Sequence, residues 1–286
     1  MTLKTLVMLA FQLSLLLTVF GFGLQATHDD ILYLLRRPGL LARSLIAMFV
    51  IVPVAVVALV RASDTPRMEE IVLVALAISP IPPMLPKKAH HAGVTTGYAL
   101  GLLTVASLFS IVSVPSAAYL LGLYFGRPFA MSSAAIAKMI VQAVVLPIIA
   151  GIVVQRSLPD VARHIGRPVG IIAGALLAAA TLVLVGGNIS TLWRLSEVST
   201  LLLMVAFVVI GLAAGDLLGG PGIEHEGVLA VASASRHPGI ALALASANYP
   251  NERFGGTVLL YLVVSAVVCI PYIKWKSARH VLSPRD

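Results

Sequence analysis

The chain has 286 residues, of which 59% are hydrophobic and only 11% are charged. Soluble domains carry about 25% charged residues, so 20 basic and 12 acidic side chains are too few to cover a chain of this length in water. The composition therefore excludes most soluble protein classes. It predicts a polytopic membrane protein whose main partner is the lipid bilayer.

The net charge of +8 does not indicate a nucleic-acid-binding protein. The basic residues stand in short clusters between apolar runs, which is typical of the charges that orient membrane helices. The single cysteine, Cys269, lies in an apolar run, so we expect neither a disulfide framework nor a thiolate metal site. No cofactor is expected either.

Nine apolar segments are long enough to be transmembrane helices, which need about 20 residues to cross roughly 30 Å of hydrocarbon. They cover about residues 5–26, 40–61, 69–93, 95–122, 130–155, 167–187, 198–218, 226–249 and 254–275. The predicted fold class is therefore an all-α polytopic membrane protein with about nine transmembrane helices.

The loop charges predict the orientation of these helices. Twelve of the 20 lysine and arginine residues fall in one set of alternate loops and six in the other. Because the side richer in these residues is cytoplasmic, we expect the N-terminus outside and the C-terminus inside, in a bacterial inner membrane.

Two of the nine segments carry helix breakers in the middle. The third contains Pro80, Pro82, Pro83 and Pro86, and the eighth contains Arg236, His237, Pro238 and Gly239. Proline removes a backbone donor and clashes with the preceding turn, so both segments should be broken helices. Such interruptions in two halves of a chain point to the binding site of a transporter. Two kinks without function are the alternative interpretation.

Several short stretches resemble one known family in the same order along the chain. They are Phe20-Gly21-Phe22-Gly23-Leu24, Arg37-Pro38-Gly39-Leu40, Ser79-Pro80, Ala137-Lys138-Met139 and Gly239-Ile240-Ala241-Leu242-Ala243. Together they resemble the bile acid:sodium symporter-like transporters over nearly the whole chain. The resemblance implies ten helices in two inverted repeats, and the nine predicted segments lead us to expect the counterpart of the first helix to be absent. It also implies a panel domain at about 1–28 and 128–188, and a core domain at about 38–124 and 196–276.

The sequence departs from this family where sodium-coupled members bind their ion. Those members use a Gly-Gly-Thr-Ala-Ser-Asn-like stretch in one broken helix and a Glu, with a Gln four residues later, in the other. Here the first stretch covers residues 81–86 and is followed by Lys87 and Lys88, and the Glu and Gln positions fall on Ala232 and Arg236. The usual sodium ligands are therefore mostly absent, which leaves only a site built from neutral oxygens.

Positive charge stands where the family places sodium. A charged arginine at mid-membrane costs about 2.5–3.5 kcal/mol on insertion scales, so such residues are functional candidates by default. Our hypothesis is that Arg236, with Lys87 or Lys88, replaces bound sodium and attracts an anionic substrate. Capping of unwound carbonyl groups is the alternative role for Arg236. All acidic residues lie in loops, tails or helix ends, and Asp216 is the one that could pair with Arg236.

Five further residues are weaker candidates for the site. Ser233, Ser235, Thr104 and Ser107 are plausible polar lining, although serine and threonine also join membrane helices to one another. His237 could act as a proton switch because histidine titrates near neutral pH, but a hydrogen-bonded structural role is the simpler interpretation.

The predicted function is that of a secondary transporter, not an enzyme, which moves a small organic anion by alternating access. Sodium symport is typical of the family but poorly supported by these residues. Proton-coupled or uncoupled transport stays open as an alternative. So does a non-transporting membrane sensor or scaffold with a transporter fold.

Overall fold

The computed structural model describes residues 3–26, 29, 32–82, 96–126, 132–195, 197–220 and 223–282. Their helices are α1 (Leu3–Gln25), α2 (Pro38–Arg61), α3 (Arg67–Ile78), α4 (Thr96–Phe125), α5 (Ser133–Ser157), α6 (Pro159–Gly187), α7 (Ile189–Leu195), α8 (Val198–Leu218), α9 (Ile223–Ala234), α10 (Pro238–Asn248) and α11 (Gly255–Leu282). The described residues contain no strand.

Eight stretches of the described chain are long and apolar enough to cross a membrane, and α9 and α10 together form one of them. They correspond to eight of the nine predicted segments, which confirms an all-α polytopic membrane protein. The third predicted segment begins as α3, and its second half lies outside the described residues. The sixth begins earlier than predicted, because Pro159 starts α6 at a first-turn position where its missing N–H costs nothing.

Two of the long helices, α2 and α5, contain a wider π-helical turn directly before a proline. The turn covers Ala47–Ile51 before Pro53 in α2 and Val141–Val145 before Pro147 in α5. A proline ring clashes with the carbonyl group four residues earlier, and a π turn relieves that clash by adding a residue to the turn. Both helices therefore continue across their prolines instead of ending there.

Glycines on α8 let it pack directly against the backbone of α9. Gly211 faces Ala234, and Gly215 faces Ala230 one turn away. A Cβ atom at Gly215 would lie 2.3 Å from the Cα and N atoms of Ala230, a distance that real Cβ atoms do not reach. Small residues allow this close approach between membrane helices, and it fixes the position of α9.

The helices pack in two groups. Helix α1 packs against α5 and α6, with Gly23 and Gly151 in backbone contact, whereas α2, α3, α8, α9, α10 and α11 pack around one another. Helix α4 contacts both α5 and members of the second group. This grouping is compatible with the panel and core domains, whose boundaries stay a prediction.

One end of the molecule gathers five chain segments. Tyr33 in the turn before α2 contacts His225 of α9, and Arg43 of α2 approaches Gly220 after α8. Lys276 of α11 contacts the ends of α8 and α9. These segments therefore end on the same side of the bilayer, and the assignment of that side as cytoplasmic stays a prediction.

We predict that Gly215→Ala lowers the free energy of unfolding by about 1–3 kcal/mol, since the added methyl group would overlap the backbone of α9. Denaturant unfolding in detergent micelles measures the change. Gly170→Ala on α6 is the matched control, because a Cβ atom at Gly170 meets nothing within 4 Å. Equal stability of the two variants would contradict the close packing of α8 on α9.

Candidate functional site

The candidate site lies where two helix breaks meet. Helix α3 ends at Ile78, and the backbone of the next residue, Ser79, is extended (φ −73°, ψ 150°). His237, between α9 and α10, is also extended (φ −77°, ψ 104°). Each of these residues precedes a proline, and the proline ring disfavours helical backbone angles in the residue before it. The same local cause therefore opens both helices.

The two breaks hydrogen bond to each other. The backbone N–H of His237 donates to the carbonyl oxygen of Pro80 over 2.9 Å. The guanidinium Nη1 of Arg236 donates to the carbonyl oxygen of Ser79 over 3.2 Å. Carbonyl groups at membrane depth must find protein or water donors, and here each break supplies donors to the other.

Arg236 also ties α2 to this crossing. Its side chain is buried, with 1% of its surface exposed, and its Nη2 donates to the carbonyl oxygen of Met48 over 3.2 Å. In the π-helical turn the N–H of Val52 donates five residues back, to Ala47. The next donor in that register would be residue 53, but Pro53 has no N–H. The Met48 carbonyl therefore lacks its helical partner, and Arg236 replaces that partner.

Helix α11 satisfies the last carbonyl of α9. The hydroxyl groups of Tyr261 and Ser265 both donate to the carbonyl oxygen of Ala234, over 2.9 Å and 3.3 Å. Sequence reasoning missed both residues. The available signal was their spacing of four, which places two hydroxyl groups on one face of the otherwise apolar stretch 258–270 of α11.

Two polar groups beside the break have no hydrogen-bond partner among the described residues. They are the hydroxyl of Ser233, which is fully buried, and Nε of Arg236. Ser235 is also buried in the break. The structure therefore brings three of the predicted site residues together at the end of α9.

His237 caps the second half of its broken helix. Its Nδ1 accepts a hydrogen bond from the backbone N–H of Ile240 over 3.3 Å, and Pro238 and Gly239 form the first positions of α10. This contact needs an Nδ1 without a proton. The contact therefore fits a structural role for His237, which is the alternative to the proton switch. It does not test whether His237 takes up a proton.

Of the remaining predicted residues, the structure describes three and leaves four outside the described part of the chain. Thr104 and Ser107 lie on α4, where the hydroxyl of Thr104 donates to the carbonyl of Leu100 over 3.0 Å, so the described hydrogen bonds of Thr104 are local. Pro82 is buried in the unwound stretch after α3. Four predicted residues lie outside the described part of the chain, namely Pro83, Pro86, Lys87 and Lys88.

One known protein family matches a large part of this chain. The sodium bile acid symporter family matches residues 12–195, which is more than half of the chain. The chain belongs to this family. No curated protein matches it. Members of the sodium bile acid symporter family are transporters rather than enzymes, and the matched region includes α2 and the first break but not the second break.

The suggested pairing of Asp216 with Arg236 in this family member is wrong. An oxygen of Asp216 lies 2.6 Å from Nζ of Lys276 and also accepts a hydrogen bond from the hydroxyl of Tyr272. Glu226 lies 2.7 Å from the same Nζ. Asp216 is near the C-terminal end of α8, and the 12-residue helix α9 lies between it and Arg236. Lys276 of α11 lies beside Asp216 and pairs with it instead.

We predict that the Met48 carbonyl accepts a hydrogen bond from Arg236 because Pro53 has no N–H to donate to it. In wild-type background, Arg236→Met leaves the carbonyl groups of Met48 and Ser79 without donors. In a Pro53→Ala background the new N–H can donate to Met48. The cost of Arg236→Met should then be about 1 kcal/mol smaller, which is the net worth of one hydrogen bond. A double-mutant cycle on unfolding free energies in micelles measures this coupling.

Pro271→Ala, at an exposed position of α11, is the control for this cycle. It should leave the cost of Arg236→Met unchanged. If Pro53→Ala also leaves that cost unchanged, the missing N–H of Pro53 is not the reason why the Met48 carbonyl bonds to Arg236.

We also predict that Lys276→Met destabilises the protein by about 1–3 kcal/mol, because two carboxylates are left facing each other. This is less than the 3–5 kcal/mol of fully buried pairs, since Asp216 and Glu226 are partly exposed. Thermal and denaturant unfolding measure the loss. Lys274→Met, two residues away and exposed, serves as the control, and a similar loss in both variants would refute the ion-pair explanation.

Proposed function

We propose that this symporter-family member is a secondary transporter that moves a small organic anion across the membrane by alternating access. The observation that carries the proposal is the guanidinium of Arg236, which joins both helix breaks and α2 in the interior of the protein. A fixed positive charge at the crossing favours a substrate of negative charge. In this proposal the N-terminus lies outside a bacterial inner membrane and the C-terminus inside.

We further propose that Arg236 takes over the role of bound sodium. Sodium is a hard cation and prefers oxygen ligands. The carbonyl oxygens of Ser79 and Met48 already accept hydrogen bonds from Arg236. Ala232, at the position where the family resemblance places a Glu, is fully buried among apolar side chains. A second cation here would lack a carboxylate and would be repelled by the guanidinium.

Coupling to protons or uncoupled transport is then the expected mode. If a proton entered at Nδ1 of His237, the hydrogen bond from Ile240 would be lost and the first turn of α10 would lose its cap. That change lies next to Arg236 and would act on the crossing directly. In the proton-coupled form of the proposal, Nδ1 of His237 is therefore the atom that takes up the proton.

We predict that sodium does not stabilise the wild-type protein. The melting temperature of the full chain in detergent should be the same in NaCl and in choline chloride at equal ionic strength. A ligand at 100 times its dissociation constant would add about 2.7 kcal/mol of stability, a shift that thermal unfolding detects. A saturable rise with sodium alone would overturn the fixed-cation proposal and restore an ordinary symporter.

Uptake by proteoliposomes separates a transporter from a scaffold. Arg236→Gln should abolish the uptake of any labelled organic anion that the wild-type protein carries, while Arg253→Gln at an exposed loop position should not. Normal uptake by Arg236→Gln would remove Arg236 from the mechanism. Absence of uptake across a broad panel of carboxylates and sulfonates by the wild-type protein would favour the sensor or scaffold instead.

A further inference from the structure

The last helix, α11, crosses the bilayer between two basic positions. Arg253 stands just before the helix and Lys274 lies 19 residues beyond its first residue, Gly255. At 1.5 Å per residue this distance is about 29 Å, close to the thickness of the hydrocarbon layer. Lys274 therefore reaches the level of the lipid head groups.

At this level the exposed side chains of α11 change from apolar to basic and aromatic. Val267 and Ile270 are 61% and 50% exposed, as expected of side chains that face lipid tails. Lys274 continues this face one turn later, and Trp275 and Arg279 are exposed on the adjoining side of the helix. Tryptophan is enriched where the membrane meets water, so Trp275 marks the boundary independently of the helix length.

The basic residues of this helix end divide between the protein and the membrane. Lys276 is 4% exposed and faces inward, where Asp216 and Glu226 neutralise it. Arg279 lies over the ring of Trp275, with 4.3 Å between its Cζ and the ring centre. Stacking fixes the guanidinium plane at the interface and leaves its N–H groups for a partner outside the protein.

We propose that Arg279, stacked on Trp275, binds the phosphate head group of an anionic phospholipid, and that Lys274 adds positive charge nearby. The guanidinium of Arg279 suits the planar, bidentate recognition of phosphate oxygens. Lys274 adds a second positive charge about 7.5 Å nearer the membrane centre along the helix axis, and its long side chain can extend toward the head groups. Basic residues at this level attract anionic lipids. This site does not depend on what the protein transports.

The chain contains two tryptophans, so a Trp193→Phe background leaves Trp275 as the only tryptophan reporter. The full chain in this background is reconstituted into bilayers of phosphatidylcholine and phosphatidylglycerol in which one lipid at a time carries brominated acyl chains. Bromine quenches the fluorescence of tryptophan in contact with it, so the quenching reports which lipid occupies the surface around Trp275.

We expect phosphatidylglycerol to be preferred over phosphatidylcholine at Trp275, by about fivefold for each of the two cations. Lys274→Gln with Arg279→Gln should bring the preference close to one. Lys274→Arg should keep it, and so should Arg253→Gln at the opposite end of α11. Higher salt should reduce the preference, because exposed charges are screened.

Equal quenching by the two lipids in the unsubstituted protein would overturn the proposal. So would an unchanged preference in the doubly substituted protein. Because the substituted side chains are exposed, these variants should fold, and a melting temperature equal to that of the background protein verifies this. Loss of uptake in the transport assay would leave this result unaffected, so the two proposals fail separately.

Discussion

An unpaired carbonyl group inside a bilayer is the constraint on which the rest of this structure depends. Two helices are opened by prolines, and α2 is widened before another, so carbonyl groups of Met48, Ser79, Pro80 and Ala234 lose their helical donors. Each of them accepts a hydrogen bond from another segment. The breaks are thus held by the contacts that satisfy them, and Arg236 contributes two of these contacts from one side chain.

The positions of the breaks could be predicted from the sequence, because proline acts on its immediate neighbours. Ser79-Pro80 and His237-Pro238 open the chain where the prolines stand, whatever packs around them. A functional candidate at Arg236 could also be predicted, since a charge within an apolar segment is visible in the sequence before its partners are known. The family resemblance extended this local reading to the whole chain.

The partners of those residues could not be predicted, because they lie far away in sequence. Nothing local indicates that Arg236 meets Met48, 188 residues earlier, or that Tyr261 meets Ala234. The same limit explains the error at Asp216. Its charge and depth suggested a pair with Arg236, but the packing of α8 against α9 and α11 places Lys276 beside it instead. Selection between two cations requires the three-dimensional arrangement.

The contacts of Arg236 also have a consequence for biosynthesis. The acceptors at Met48 and Ser79 are synthesised 188 and 157 residues before their donor. When ribosomes have produced only the first five or six helices, those oxygens have no arginine to meet and the segments that carry them are poorly suited to lipid. The nascent chain is therefore best kept beside the insertion machinery until its second broken helix emerges.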